Sequence, residues 1–368
     1  MTERKQLVRW CSYALAAGIL ANAVPATADG GAVRDDSTTI TQDSSKATKA
    51  WWQQRFAGSS LELNNYFGSG TFYSSGYSDP YVATAIYFRP TLKLGTKREL
   101  TLYARGYLEI EYTKPDNPNG RHYNPLDTWL VLAARNLYTE THSKIRLAGF
   151  TRAILPTSFE SRYQHLVVGL SAGLSANRMF EFGKPDPAGK KWELGLSLGS
   201  AFTKYLQTSQ VRGMFAGDSN ACRLGNTNVS GGLVGPGGEG SVGSGTDHCG
   251  GPINTNYGVT SSLTASLSRR RVSLSVTMIV INQFQYSVPD NQLIGLHNMG
   301  TNGRSDFTWG LVSLGYDITD HLGVSVGLSS YQPALDSTYS HPRFPFFDFS
   351  GANANNYTQA FVGVSGTI

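Results

Sequence analysis

Residues 61–368 break into twelve runs in which apolar and polar side chains alternate with a period of two, the period of a β-strand. The runs are rich in β-branched and aromatic residues. They cover 61–73, 81–94, 99–113, 128–138, 143–155, 165–178, 191–205, 257–268, 271–286, 306–317, 321–332 and 357–368. Most exceed the usual soluble strand of about 5 or 6 residues. The stretch TLYARGYLEIEYT, residues 101–113, poses the question the pattern raises. Leu102, Leu108 and Ile110 lie on one face, and Arg105, Glu109 and Glu111 on the other. A soluble sandwich turns the apolar face inward, whereas a membrane barrel turns it to lipid and lines its lumen with the polar face.

The connections favour the second arrangement. Those at 95–98, 139–142, 269–270 and 318–320 are short, and 183–187 is of middling length. The alternate ones, 114–127, 156–164, 206–256, 287–305 and 333–356, are long, with 74–80 the brief exception. Short turns at one end and long loops at the other suit an up-and-down transmembrane barrel. A secreted sandwich has no reason to keep its long loops together.

At the other end of the chain, Arg4, Lys5 and Arg9 precede a short apolar run that closes in Ala26-Thr27-Ala28. A basic start, an apolar middle and a small-residue cleavage site predict a signal peptide over 1–28, so the protein is exported. No later apolar run approaches the length of about 20 residues that a transmembrane helix needs. Strands escape that test, because about 10 alternating residues suffice to cross. Residues 29–60 are polar and Ser/Thr-rich around Trp51-Trp52, and we read them as a lead-in on the near side of the membrane.

Removal of the signal leaves 28 basic and 25 acidic residues, too mild an excess to imply nucleic acid. Cys11 leaves with the signal. Cys222 and Cys249 remain within one loop, and in an exported protein the expected outcome is a disulfide closing that loop. The glycine-rich segment between them cannot bury a core and is read as a surface loop. Neither the cysteines with His248 nor any other group has the spacing of a metal site, and no cofactor is implied.

The long strands, the turn and loop rhythm, the signal and the last strand running to Ile368 together resemble the bacterial outer-membrane β-barrel class over residues 61–368. That resemblance implies about twelve antiparallel strands, both ends of the chain in the periplasm, and location in the bacterial outer membrane. It also implies contact with outer-membrane lipid, lipopolysaccharide and the barrel-insertion machinery. Tyr112, Trp129, Trp192, Tyr286 and Trp309 sit near strand ends, where interfacial aromatic girdles belong. The class usually ends in an aromatic residue, and Ile368 departs from it.

On this reading lipid meets Phe88, Leu102, Leu130, Leu132, Leu166, Leu170, Leu196, Val272, Val326 and Val364, none of them charged. The lumen receives Glu62, Arg89, Lys93, Arg105, Glu109, Glu111, Arg135, Arg146, Arg152 and Glu193, six of the ten basic. Later strands turn small polar residues inward, among them Ser171, Ser197, Thr260, Ser262, Thr264, Ser275 and Ser329. Long charges facing small polar groups predict a narrow channel for small polar solutes with mild anion preference, since basic rings select anions. The alternative is a barrel whose charges pair and fill it, making it a platform for receptor or adhesin loops.

Two stretches approach enzyme motifs. Gly169-Leu170-Ser171-Ala172-Gly173 matches a nucleophile elbow but falls mid-strand, where the sharp turn that motif requires is absent. LHNMGTNGRSD, residues 296–306, is similar to a stretch of the outer-membrane phospholipases, which are also twelve-stranded. Asn302, Gly303 and Arg304 match in place, but Thr301 stands where that family has Ser, and His297 lies too far back. A lipid hydrolase acting on phospholipid or lipid A is the third alternative. The expected reading assigns no catalytic residue.

Overall fold

The computed structural model describes residues 55–68, 71, 81–95, 99–113, 122–187, 189–210, 254–287, 303–334 and 358–367. The expected signal peptide, the lead-in up to residue 54, Cys222, Cys249, His297 and Ile368 lie outside the described residues. In chain order the strands are β1 (Ser60–Gly68), β2 (Val82–Arg89), β3 (Thr91–Gly95), β4 (Leu100–Glu111), β5 (Tyr123–Pro125), β6 (Thr128–Thr139) and β7 (Arg146–Leu155). After the short helix α1 (Phe159–Tyr163) come β8 (Leu166–Phe182), β9 (Trp192–Gln207), β10 (Thr255–Arg269), β11 (Val272–Gln285), β12 (Arg304–Asp317), β13 (Leu322–Pro333) and β14 (Thr358–Thr367).

These fourteen segments make twelve barrel strands. β2 and β3 are one strand interrupted at Pro90, because Phe88↔Gly106 and Thr91↔Tyr103 keep one register against β4. Proline has no N–H to give, but the Pro90 carbonyl still accepts from Ala104 N at 3.2 Å. β5 continues β6, with the register against β4 slipping by one across Leu126 and Asp127. Asp127 uses that irregularity to hold α1: it accepts from the Ser158 N–H at 2.9 Å and from the Ser161 hydroxyl, beneath the long loop after β7. Every neighbour is antiparallel, and β14 pairs back onto β1 from Ser60↔Thr367 to Gly68↔Gln359. Closure leaves no unpaired edge.

Exposure along the strands settles which face is which. Ser262, Leu263 and Thr264 are 5%, 53% and 6% exposed. The pattern recurs around the barrel: Leu174, Leu198, Phe202, Leu314 and Val362 stand outside, while Asn64, Thr101, Thr203, Thr277 and Ser313 are buried inside. This inverts the arrangement of a soluble protein and is the arrangement a bilayer requires. No helix among the described residues is long and apolar enough to cross a membrane.

Three face assignments are corrected: Trp129 and Trp309, expected in the interfacial girdle, share the inward parity of Val131 and Leu311 and are buried in the interior cluster, and Leu166 joins them. Leu166, expected to meet lipid, is buried among interior side chains. A bulge between Leu166 and Val168 inserts Val167, which takes the exposed position and shifts Leu166 to the opposite face. Strand ends move by a few residues only: β1 stops at Gly68 rather than 73, and β8 runs on to Phe182.

The turn from β6 to β7 is fixed by Glu140, whose carboxylate accepts from the His142 N–H at 3.0 Å and from Ser143. Hydrogen bonds from the Ser143 side chain, then from the His142 and Ser143 backbone, pull its carboxyl from the ordinary 4.5 down to about 2. A carboxyl depressed on folding supports the fold above its unfolded value and loses that support as pH falls from 4.5 through about 2. An NMR titration should place Glu140 near the lower value, and Ser143→Ala should raise it.

Candidate functional site

β4 is the pillar of the charged wall. Its inward residues, Thr101, Tyr103, Arg105, Tyr107, Glu109 and Glu111, alternate with the outward Leu102, Leu108 and Ile110. Arg105 pairs across strands with Trp129, and Trp129 in turn with Ile154, which stands two residues beyond Arg152 on β7. This register brings two guanidinium groups to one indole. The Arg105 guanidinium lies 4.8 Å from the Trp129 ring centre and 5.4 Å from that of Tyr87, and the Arg152 guanidinium lies 4.1 Å from Trp129. Arg89 lies 5.9 Å from the Tyr103 ring. A planar, weakly hydrated guanidinium stacks on aromatic faces more readily than an ammonium does, so arginine suits these positions.

The acids of the same wall are held by neutral donors. Glu62 accepts from Asn64 Nδ2 at 2.6 Å, Glu109 from the Tyr107 hydroxyl at 2.8 Å, and Glu111 from the Thr113 hydroxyl at 2.8 Å. The Tyr66 and Tyr87 hydroxyls meet at 3.2 Å between them. Ion pairs at the barrel's ends include Lys191–Glu181 at 3.7 Å, Arg270–Asp186, and Arg304–Asp306 at 2.8 Å.

The ten charged residues expected in the lumen all fall on the inward face, Glu62 beside Asn64 among them, but they do not form one ring. Arg89, Arg105, Arg152 and Glu109 gather along the wall, whereas Lys93, Arg135, Arg146 and Glu193 stand near the short-turn end and Glu111 near the long-loop end. From β8 to β12 the inward small polar residues bond to one another, and Ser171 also to Arg152 beside it. Ser171 Oγ accepts from Arg152 Nη2 at 3.1 Å and from the Thr203 hydroxyl at 3.0 Å; Thr264 meets Thr277 at 3.1 Å, and Ser275 meets Ser313 at 2.8 Å. Ser171, the centre of the elbow-like motif, therefore serves as a hydrogen-bond anchor inside an unbroken strand.

What the alternation did not reveal is an apolar cluster inside the lumen. Trp129, Val131, Ile154, Leu166, Tyr205, Ile279, Ile281, Phe307 and Trp309 are buried together, with Tyr103, Phe150 and Tyr331 against them. The rings of Phe307 and Tyr331 stack at 5.5 Å, and Trp309 Nε1 donates to Ser329 Oγ at 2.8 Å. The available signal was the loss of alternation at Met278-Ile279-Val280-Ile281, where both faces of β11 are apolar. The phospholipase-like stretch falls partly outside the described residues. Within them, Arg304 opens β12 and pairs with Asp306, which also accepts from Asn282 Nδ2 at 2.7 Å, on the lipid-facing side.

A closed antiparallel barrel with an apolar exterior, and with hydrogen-bonded polar groups around an apolar cluster inside, has the architecture of a transmembrane β-barrel. No protein-family model matches the chain, and no curated protein does. Among solved structures it is similar to an outer membrane channel from Pseudomonas putida F1, with a TM-score of 0.46 and 11% identity, covering 85% of this chain and 96% of that one. It is similar to the NanC porin, at 0.37 and 8%, covering 84% and 100%. It is also similar to outer membrane phospholipase A from Escherichia coli, at 0.30 and 12%, covering 85% and 93%.

Proposed function

We propose that this barrel is an outer-membrane channel for passive passage of small polar solutes, with a mild preference for anions. The observation that carries the reading is the placement of Arg105 between the Tyr87 and Trp129 rings. A cation held by ring faces keeps its charge, whereas one locked to a carboxylate loses most of its outward field. Register adds Glu181 and Asp317 to the inward face near the short-turn end, so the basic excess is local: Arg89, Arg105 and Arg152 stand over Glu62 and Glu109 along the middle of the wall. Barrels of about 8 strands are filled by their side chains and those of about 16 leave an aqueous channel, so twelve strands suit a narrow passage.

The reversal potential across a planar bilayer under a KCl gradient tests this. The expected sign is that of chloride preference, and Arg105→Glu should lower anion occupancy about sevenfold, because it changes the wall charge by two units and each unit acting on an anion at about 7 Å in water is worth roughly 0.6 kcal/mol. Cation selectivity in the unaltered protein would overturn the preference.

A second reading rests on the buried apolar cluster across the lumen. A barrel closed by those side chains would conduct nothing and would act as a rigid base for receptor or adhesin loops. Absence of conductance from correctly folded protein would favour it. The lipid-hydrolase reading rests on the match at Asn302, Gly303 and Arg304. Phospholipid or lipid A hydrolysis that disappears on His297→Ala would establish it.

A further inference from the structure

We infer that the lipid-facing wall carries a site for one phosphate-bearing membrane lipid, with an acyl chain in a groove across β4 to β10 and the headgroup at Lys204. The inference rests on the barrel's crossing a membrane and is independent of whether the lumen conducts.

The groove has a volume of about 690 Å³. Gly149, Ala172 and Ser200 form its floor, and Leu132, Leu174 and Phe202 its walls. Register explains its course. Gly149 pairs with Leu174 and Leu174 with Ser200 along one rung, while Ala172 pairs with Phe202 and Phe202 with Val259 along the next. The depression therefore runs across the strands, and strands tilted by about 40° make it climb obliquely through the bilayer toward the long-loop side. Its volume lies within the range of about 300–1,000 Å³ typical of small-molecule sites. Its lining is predominantly apolar, and the phase around it is hydrocarbon, so an acyl chain suits it.

The upper end of the groove meets a feature that identifies the headgroup. Phe202 stacks on Tyr257 with ring centres 5.8 Å apart, and Tyr257 on Phe284 at 4.7 Å. Lys204, Tyr257, Phe284 and Arg304 form a single rung over four adjacent strands, all outward and near the long-loop ends of those strands. The Arg304 guanidinium lies 5.5 Å from the Phe284 ring, and its Nε is answered by Asp306. Lys204 is different. Its Nζ donates to Asn256 Oδ1 and lies 5.6 Å from the Tyr286 ring, and among the described residues it meets no carboxylate. A lysine on a lipid-facing wall, two residues beyond Phe202 and at headgroup depth, complements a lipid phosphate. The acyl chain then descends past Phe202 into the groove.

The test reconstitutes the full chain in phosphatidylcholine vesicles containing a minor fraction of lipid A or, in a separate arm, of phosphatidylglycerol. After gentle detergent extraction, native mass spectrometry counts the lipids retained. The expected result is one anionic lipid per chain, with the arm that supplies it identifying the headgroup. Lys204→Gln should weaken retention about tenfold, the order expected for one charge-assisted hydrogen bond. Ser200→Phe, which fills the groove, should weaken it similarly. Ser261→Phe, paired with Ser200 but outside the groove, should leave it unchanged and controls for an added ring on the same face. Retention absent in both arms, retention indifferent to both Lys204→Gln and Ser200→Phe, or a two-chain mass that Ser200→Phe dissociates would overturn the proposal.

Discussion

Leu263→Arg is expected to lower the folding stability of the barrel in lipid vesicles by about 2 to 4 kcal/mol, measured by denaturant unfolding. Leu263 stands in the middle of β10, more than half exposed, between the buried Ser262 and Thr264. If that face met water, an arginine there would be tolerated to within about 0.5 kcal/mol, as at most surface positions. Against hydrocarbon near the midplane, a guanidinium must distort the bilayer or reach far for water. The size of the effect thus reports the medium outside the barrel, and a cost near zero would show that the apolar face is not lipid-covered. Leu263→Ala removes apolar surface without adding charge, so it should cost much less.

The second large effect is expected from Trp309→Ala, which should destabilise the barrel by about 3 to 5 kcal/mol and raise single-channel conductance. Trp309 pairs across strands with Ile279 on one side and Tyr331 on the other, and its indole N–H is satisfied by Ser329. Truncation strips contacts from the cluster and leaves the Ser329 hydroxyl without that donor. In a soluble core the resulting cavity would stay dry, but here the cluster lies within a lumen lined elsewhere by polar groups. Water can enter, and a hydrophobic constriction that gates by excluding water would open. A fall in stability with unchanged conductance would place the cluster off the conduction path. Arg105→Glu affects a different quantity, the sign of selectivity, so the two variants separate the roles of the apolar cluster and the charged wall.

Much of the barrel was readable residue by residue. The alternation in residues 101–113 assigned Leu102 outward and Arg105, Glu109 and Glu111 inward, as found. Where the reading failed, the cause was local. One inserted residue at Val167 reversed Leu166, since a period of two carries no memory across a bulge. The run 81–94 did hold as one strand through Pro90, because one missing donor costs a single ladder bond while the register persists. The inward Ile279 and Ile281 were hidden because the outward residues of β11 are equally apolar, leaving no contrast to read.

The amino-acid order by itself determined that this chain forms long antiparallel strands, that their apolar faces belong on one side, and that its long loops gather at one end. Those are properties of spacing along one strand, legible wherever side chains alternate. What the charges touch was decided only by closure of the sheet. Arg105 and Arg152 meet at Trp129, Ile279 meets Trp309, and Lys204 shares a rung with Arg304, in each case because register brings together residues far apart in the chain. Periodicity tells a residue which way to face, whereas its neighbours across the sheet depend on the alignment of strands that no single strand encodes.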